Sequence, residues 1–167
     1  MRGIAVWLSA LVAVAGVARA ADPLVPAPTG APLILEVAAD GVQVYACEAK
    51  GAGFEWVFKA PEANLFGAKG LQIGTHFAGP SWKADDGSVV VGEVATRADA
   101  PDGGAIPWLL LRAKSKEGSG VLSAVAFVRR ADTKGGVAPA AGCDAAHKGE
   151  QARVRYSALY QFFGVAK

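Results

Sequence analysis

Short alternations of apolar and polar residues recur along most of the chain. They predict strands at 42–47, 54–59, 71–77, 82–84, 88–95, 106–113, 121–129 and 154–162. A period of two residues puts alternate side chains on opposite faces of a sheet. The last segment shows this most clearly, because Tyr156, Tyr160 and Phe162 share one face while Arg153 and Arg155 share the other.

Turn residues separate these segments at short intervals. Asp85, Asp86 and Gly87 lie between two extended runs, and Asp-Gly there is a strong hairpin signal because these residues tolerate positive φ. Segment 61–66 differs, and we expect one helical turn there. About eight strands without sustained helical periodicity predict an all-β, single-domain antiparallel sandwich or barrel, and the pattern is compatible with both.

The N-terminus has the pattern of a secretory signal peptide. Arg2 precedes an apolar run at 4–17, and Ala18-Arg19-Ala20 is a small-x-small cleavage site. The run is shorter than the ~20 residues that a membrane-spanning helix needs. We therefore expect a signal peptide at 1–20, an extended Pro/Ala-rich leader at 21–40 and a β domain at 41–167. The mature protein is expected to be soluble, periplasmic or secreted, with no membrane span after cleavage.

Charge excludes one class of partner. The chain has 17 Lys and Arg against 15 Asp and Glu, and Arg2 and Arg19 leave with the signal peptide, so the mature chain is formally neutral. Nucleic-acid binding needs a surplus of basic residues that displaces counterions from the phosphates. We therefore expect no nucleic-acid partner.

The chain has two cysteines, Cys47 and Cys143. In an oxidising compartment such a pair predicts one intramolecular disulfide, which here closes a loop of ~100 residues. A metal site built with His76 and His147 is the alternative, but only Cys143 and His147 lie close together in the sequence, whereas structural zinc sites have two closely spaced pairs of ligands. We expect no metal and no cofactor.

Candidate site residues concentrate in one stretch of the sequence. His76 could act as a general base or ligand contact oriented by Asp85 or Asp86, because its ordinary pKa is near neutrality. Trp82 follows a Gly-Pro-Ser loop, where an exposed ring could contact a ligand. The alternative is structural: His76 is then a hydrogen-bonded strand residue, and the two aspartates build the turn.

The remaining tryptophans and arginines are expected to serve the fold. Trp56 and Trp108 have apolar strand neighbours and are assigned to the core. By default, two pairs of arginines are assigned to the solvated faces of their strands: Arg129 with Arg130, and Arg153 with Arg155. Binding of an anionic ligand by these arginines is the alternative.

Several motifs resemble, in order, those of a known family. They are GTHFAGPSW at 74–82, DGS at 86–88, IPWLL at 106–110, VRRADTKGG at 128–136 and YSALYQFF at 156–163. Together they resemble an uncharacterised secreted family of bacteria and fungi, whose fungal members often carry the label malate dehydrogenase-like. The resemblance implies no established activity and no catalytic residues.

That label can be tested against the residues. A nicotinamide-dependent dehydrogenase needs a glycine-rich turn between a strand and a helix. The one candidate turn, at 51–53, lacks the third glycine and leads into a strand pattern. The sequence therefore argues against a nicotinamide-dependent malate dehydrogenase.

Three functional hypotheses follow. The preferred one is an exported, noncatalytic binding or envelope-associated module, whose partner is a small molecule, a carbohydrate or an envelope component. The second is a small hydrolase-like enzyme using His76 with Asp85 or Asp86. The third is a structural or stress-related secreted protein.

Overall fold

The computed structural model describes residues 24–166. Within them, eight strands form one antiparallel sheet that closes into a barrel. The strands are β1 Leu33–Lys50, β2 Gly53–Phe66, β3 Gln72–Phe77, β4 Ser81–Ala84, β5 Val89–Ala98, β6 Trp108–Glu117, β7 Phe127–Gly135 and β8 Gln151–Phe163. Two short 3-10 helices lie at Val121–Ala124 and Ala145–His147. The predicted signal peptide lies outside the described residues.

Each strand pairs with the next one along the chain, and β8 returns to pair with β1. Gly41 of β1 therefore lies opposite Ala63 of β2 on one side and Tyr156 of β8 on the other. This closure leaves the sheet without a free edge. The predicted all-β, antiparallel fold is confirmed, and of the two architectures considered the chain adopts the barrel.

The first strand begins earlier than the sequence suggested. It starts at Leu33, inside the predicted leader 21–40, because its first residues pair with the end of β8 at Phe162 and Phe163. Before it, Val25 is fully buried and packs with Trp108 and Ala131 on the outside of the sheet.

Alternation along the strands separates the core from the surface. One half of the barrel interior is filled by large apolar side chains: Val37, Leu65, Trp82, Val90, Leu111, Val128 and Phe162. Leu122 and Val125, from the connection between β6 and β7, close this half. Burying these side chains contributes roughly 1.5 to 3 kcal/mol each, before conformational entropy is subtracted.

Two local predictions were wrong. Segment 61–66 continues β2 rather than forming a helical turn, because Ala63 and Leu65 point into the core while Glu62 and Asn64 point out. Residues Val121–Ala124 form a 3-10 helix rather than the start of a strand. The carboxylate of Asp86 and the hydroxyl of Ser88 accept the first backbone N–H groups of this helix, at Val121 and Leu122.

Cys47 and Cys143 form the predicted disulfide, with their Cα atoms 5.3 Å apart and a sequence separation of 96. The bond ties the loop before β8 to β1. Trp56 is only half-buried and donates its indole N–H to the carbonyl of Ala141 in the same loop, 2.9 Å away, whereas Trp108 is buried as predicted. No helix among residues 24–166 is both long enough and apolar enough to cross a bilayer.

Candidate functional site

The half of the barrel not filled by apolar side chains contains a cavity of about 570 Å³. We call it the mouth cavity. Its polar lining residues are Gln43, Tyr45, His76, Arg97 and Arg130. Its apolar lining comprises Phe58, Val94, Ile106, Leu109 and three prolines, Pro61, Pro80 and Pro107. Phe58 and Val94 are about half exposed, so the cavity has an apolar rim. Concave sites with an apolar lining and a few polar groups are typical of small-molecule binding.

Arg130 is the less exposed of the two arginines that line the mouth cavity. It lies on β7 two residues after Val128, which is fully buried, so the two side chains share the interior face. Its register partners are Leu109 on β6 and Tyr160 on β8. Its guanidinium Nε donates a hydrogen bond to the carbonyl of Pro107, 3.0 Å away. The expectation that Arg130 lies on a solvated face was wrong.

Arg129 points to the opposite face and was also wrongly assigned to solvent. The segment before β1 covers this outer face, so Arg129 is only 7% exposed. Its Nε donates to the carbonyl of Val25, 2.6 Å away, and its Nη1 donates to the Gln161 side chain. The guanidinium also lies 5.6 Å from the centre of the Trp108 ring. Arg129 therefore anchors the N-terminal segment to the barrel.

His76 lines the cavity from β3 and is only 2% exposed. Burial lowers its pKa to about 3, the nearby charge of Arg130 acts in the same direction, and the Ser81 carbonyl opposes them. Its Nδ1 lies 2.8 Å from that carbonyl oxygen. A carbonyl only accepts hydrogen bonds, so in the neutral ring Nδ1 carries the proton and Nε2 is an acceptor. His76 is therefore an uncharged group at neutral pH.

Beside His76 lies a set of buried polar groups without partners. The side-chain nitrogen of Gln43 and the hydroxyls of Tyr156 and Tyr160 have no hydrogen-bond partner among the described residues. Gln43, Tyr156, Tyr160 and Arg130 nevertheless lie near enough to one another for hydrogen bonding to shift the pKa values of the tyrosines, although the distances and angles do not form hydrogen bonds. Burial raises the pKa of both tyrosines, so both hydroxyls keep their protons. The indole N–H groups of Trp82 and Trp108 are buried without a partner in residues 24–166 as well, and Gln43 differs from all of these groups because it lines the cavity. A buried polar group without a partner is costly.

Of the candidates named from the sequence, the structure brings His76 and Trp82 together. Their rings stack, but Trp82 is 1% exposed and belongs to the core. Asp86 accepts hydrogen bonds from Ser88 and Val121 instead of orienting the histidine. Asp85 is exposed, and its backbone N–H donates to Ile73. Both aspartates therefore belong to the β4–β5 turn.

A second depression, of about 520 Å³, is lined by residues of β1, β2, β3 and β8, and His76 contributes to its lining as well as to that of the mouth cavity. It contains two ion pairs, one between Arg153 and Glu62 and one between Arg155 and Asp40. Both arginines are on the solvated face, as predicted. Each positive charge here has a carboxylate partner, in contrast to Arg130. Residues 24–166 contain no cluster of three or more His, Cys, Asp or Glu that could hold a metal ion.

Sequence reasoning missed Gln43 as a site residue, and it named Arg130 only among four arginines for which anionic ligand binding was the alternative to a solvated face. The signal for Arg130 was present, because the apolar Val128 two residues earlier implies that both face the core. Gln43 gave a similar signal between the apolar Val42 and Val44, since the positions on its own side of β1 at 37, 39, 45 and 47 are apolar. Neither signal shows which half of the barrel is empty, because that depends on the side chains of all eight strands.

Comparison with known proteins gives a family but no function. The model of a family described as a protein of unknown function (DUF3455) matches residues 28–164. Among curated proteins and among solved structures, nothing matches this chain.

Proposed function

Because the chain belongs to the DUF3455 family of proteins of unknown function, we propose its function from the barrel itself: an exported, noncatalytic module that binds a small molecule in the mouth cavity. The observation that carries this proposal is the side chain of Gln43. It is 3% exposed, it lines the cavity, and its amide nitrogen has no hydrogen-bond partner among the described residues.

An unpartnered buried amide is costly unless another molecule completes its hydrogen bonding. The hydroxyls of Tyr156 and Tyr160 are also buried without a partner among residues 24–166, but these residues belong to the core and do not line the cavity. A bound ligand would fill the cavity and complete the hydrogen bonding of Gln43, which supports a binding role over a structural or stress-related one.

The contacts of His76 support a noncatalytic role. A histidine acting as general base requires a pKa near the working pH. The carbonyl of Ser81 faces Nδ1 and raises the pKa of the ring, but burial outweighs this contact and keeps the pKa at about 3. No observed contact favours the hydrolase-like alternative with Asp85 or Asp86.

Export is supported by two independent features. Residues 1–20 have the pattern of a signal peptide, and Cys47 is bonded to Cys143. Disulfides persist mainly in oxidising compartments such as the periplasm or the extracellular space. Intact-mass measurement of protein recovered from the periplasm and the medium tests this. Loss of residues 1–20 is expected, and a full-length chain retained in the cytoplasm would contradict it.

A thermal-shift screen tests the binding role. Small carboxylic acids, amines, alcohols and sugars are added to the full mature protein, since a ligand of the folded state raises its melting temperature in a concentration-dependent way. The variant Val94→Trp places a bulky ring at the rim of the cavity, and Leu71→Trp is its control at an exposed site that does not line the cavity.

We expect at least one compound to raise the melting temperature of wild type and Leu71→Trp, and to have a much smaller effect on Val94→Trp. Two results would overturn the binding role: no response to any class of compound, or an undiminished response in Val94→Trp.

A further inference from the structure

Arg130 is a positive charge without a counter-charge. Its Nε is used by the Pro107 carbonyl, and it forms no ion pair with any residue from 24 to 166. Arg153 and Arg155, on the outer face, each have a carboxylate within ion-pairing distance. Arg130 is thus a guanidinium on the interior face of the barrel that has no carboxylate partner among residues 24–166.

The rest of the mouth cavity does not balance this charge. None of the described residues that line it is Asp or Glu. His76 is neutral at physiological pH because burial holds its pKa at about 3. Arg97, the other cation of the lining, is exposed, and water and salt screen exposed charges. The cavity therefore contains a single interior positive charge in mainly apolar surroundings.

We propose that the mouth cavity binds a small monocarboxylate with an apolar body, whose carboxylate pairs with the Arg130 guanidinium. The apolar body lies against Phe58, Val94 and Leu109 at the rim. This inference rests on the proposed binding function and names its ligand class.

Charge balance favours a monocarboxylate over other anions. One interior guanidinium neutralises one negative charge, while a dianionic phosphate monoester would carry a second charge into the cavity without a buried partner. The free edge of a guanidinium matches the two oxygens of a carboxylate. The Gln43 amide nitrogen lines the cavity and is a neutral donor, which suits a carboxylate and adds no charge.

Calorimetric titration with matched pairs of compounds tests the ligand class. Octanoate is compared with octanamide, and phenylacetate with phenylacetamide, so that each pair has nearly the same shape and differs in charge. We expect the better-fitting carboxylate to bind about 10- to 100-fold more tightly than its amide, the range for hydrogen bonds to charged groups. Octylammonium, which has the opposite charge, should bind most weakly.

Variants assign the preference to one residue. Arg130→Gln should abolish the preference for the carboxylate while leaving amide binding within about 3-fold of wild type. Arg130→Lys keeps the charge but loses the planar fork, so the preference should persist at lower affinity. Arg112→Gln is the matched control at an exposed site that does not line the cavity, and it should leave binding unchanged. Arg97→Gln removes the other cation of the lining, and the preference for the carboxylate should persist because the charge of Arg97 is screened. Melting curves verify that each variant is folded.

The outcomes distinguish a wrong ligand class from a wrong binding function. If the amides bind as tightly as the carboxylates in wild type, the ligand class is wrong while the binding function stands. If Arg97→Gln removes the preference and Arg130→Gln retains it, the assignment to Arg130 is wrong. If Arg130→Gln does not fold, the wild-type pairs and Arg130→Lys still decide the question. If no compound of any class binds here or in the thermal-shift screen, both proposals fall.

Discussion

The imidazole of His76 stacks on the indole of Trp82, with the ring centres 4.6 Å apart and the planes within 7° of parallel. Tyr160 meets the histidine edge-on at 5.0 Å. The histidine is thus enclosed by aromatic rings on the side away from the cavity. This packing fixes the boundary between the filled and the open half of the barrel, and it keeps the imidazole uncharged.

The two histidines should titrate very differently in one NMR spectrum. Burial lowers the pKa of His76 to about 3, whereas the carboxylate of Asp144, 2.7 Å from His147, raises the pKa of that exposed ring above its ordinary value. Ring proton shifts recorded from pH 4.5 to 8 should show a full transition for His147 and none for His76. A His76 transition near pH 6.5 would contradict the conclusion that the His76 ring is uncharged at neutral pH because it is buried.

The same burial makes stability depend on pH. Below pH ~6.5 the unfolded chain protonates His76 and the folded protein does not, so the contribution is complete above that pH and is lost as pH falls toward 3. The slope of unfolding free energy is at most about 1.4 kcal/mol per pH unit. In His76→Phe this part of the slope should vanish, as measured by urea unfolding from pH 6 to pH 4. If the pH slope of the unfolding free energy is the same in His76→Phe as in wild type, burial of His76 does not cause it.

Breaking the disulfide should cost much of the stability. The bond closes a loop of 96 residues in sequence separation, for which chain entropy predicts about 4 to 5 kcal/mol. Urea unfolding of Cys143→Ser measures this loss. A reducing agent supplies the control, since it should bring wild type to the stability of the variant and leave the variant unchanged. If the oxidised wild type and Cys143→Ser are equally stable, the disulfide does not stabilise the fold as predicted.

The two aspartates of the β4–β5 turn should differ in importance. Asp86 accepts from the backbone and hydroxyl of Ser88 and from the backbone of Val121, and the hydroxyl contributes most to lowering its pKa. Asp86→Asn places an amide donor where acceptors are needed, so it should melt below wild type. Asp85→Asn is the matched control and should melt close to wild type.

The lowered pKa of Asp86 also predicts how stability changes with pH. The ionised carboxylate supports the fold above the ordinary aspartate range, and this support is lost as pH falls through the depressed pKa. Asp86→Asn should therefore lose less stability than wild type on acidification below pH ~4. A greater melting loss in Asp85→Asn than in Asp86→Asn would show that the turn is held differently.

Gly41 is required by close contact between strands. A Cβ at this position would overlap the carbonyl oxygen of Glu62 and the Cα of Ala63, both backbone atoms of β2. Gly41→Ala should therefore destabilise the barrel by about 1 to 3 kcal/mol, the usual cost of overpacking. Gly53→Ala is the control, since nothing lies within 4 Å of its added Cβ. Equal unfolding midpoints for the two variants in urea would refute this contact.

The sequence predicted what depends on local alternation and failed where distant strands decide. The strand Gln151–Phe163 was recognisable from its own residues, and the cysteine pair from the compartment that the N-terminus implies. Barrel closure could not be predicted, because pairs such as Leu33 with Phe163 join the two ends of the domain. No local pattern encodes such a pairing.

In the candidate site, too, the sequence revealed local features and missed contacts that depend on the fold. His76 was recognised as notable, yet its partner is the carbonyl of Ser81 rather than a nearby aspartate. Carbonyl partners depend on backbone geometry, which residue types do not reveal. Arg129 was misjudged because the segment that covers it lies more than 100 residues earlier, at Val25.

NMR mapping of the bound ligand tests the central claim most directly. Amide, Gln side-chain and Arg Nε resonances are followed while octanoate is titrated into the mature protein, and Arg153 and Arg155 report on the other depression. We predict saturable shifts at Gln43, His76 and Arg130, with Arg153 and Arg155 unmoved. Shifts confined to Arg153 and Arg155, or no saturable shift at Arg130, would contradict a ligand site in the barrel mouth.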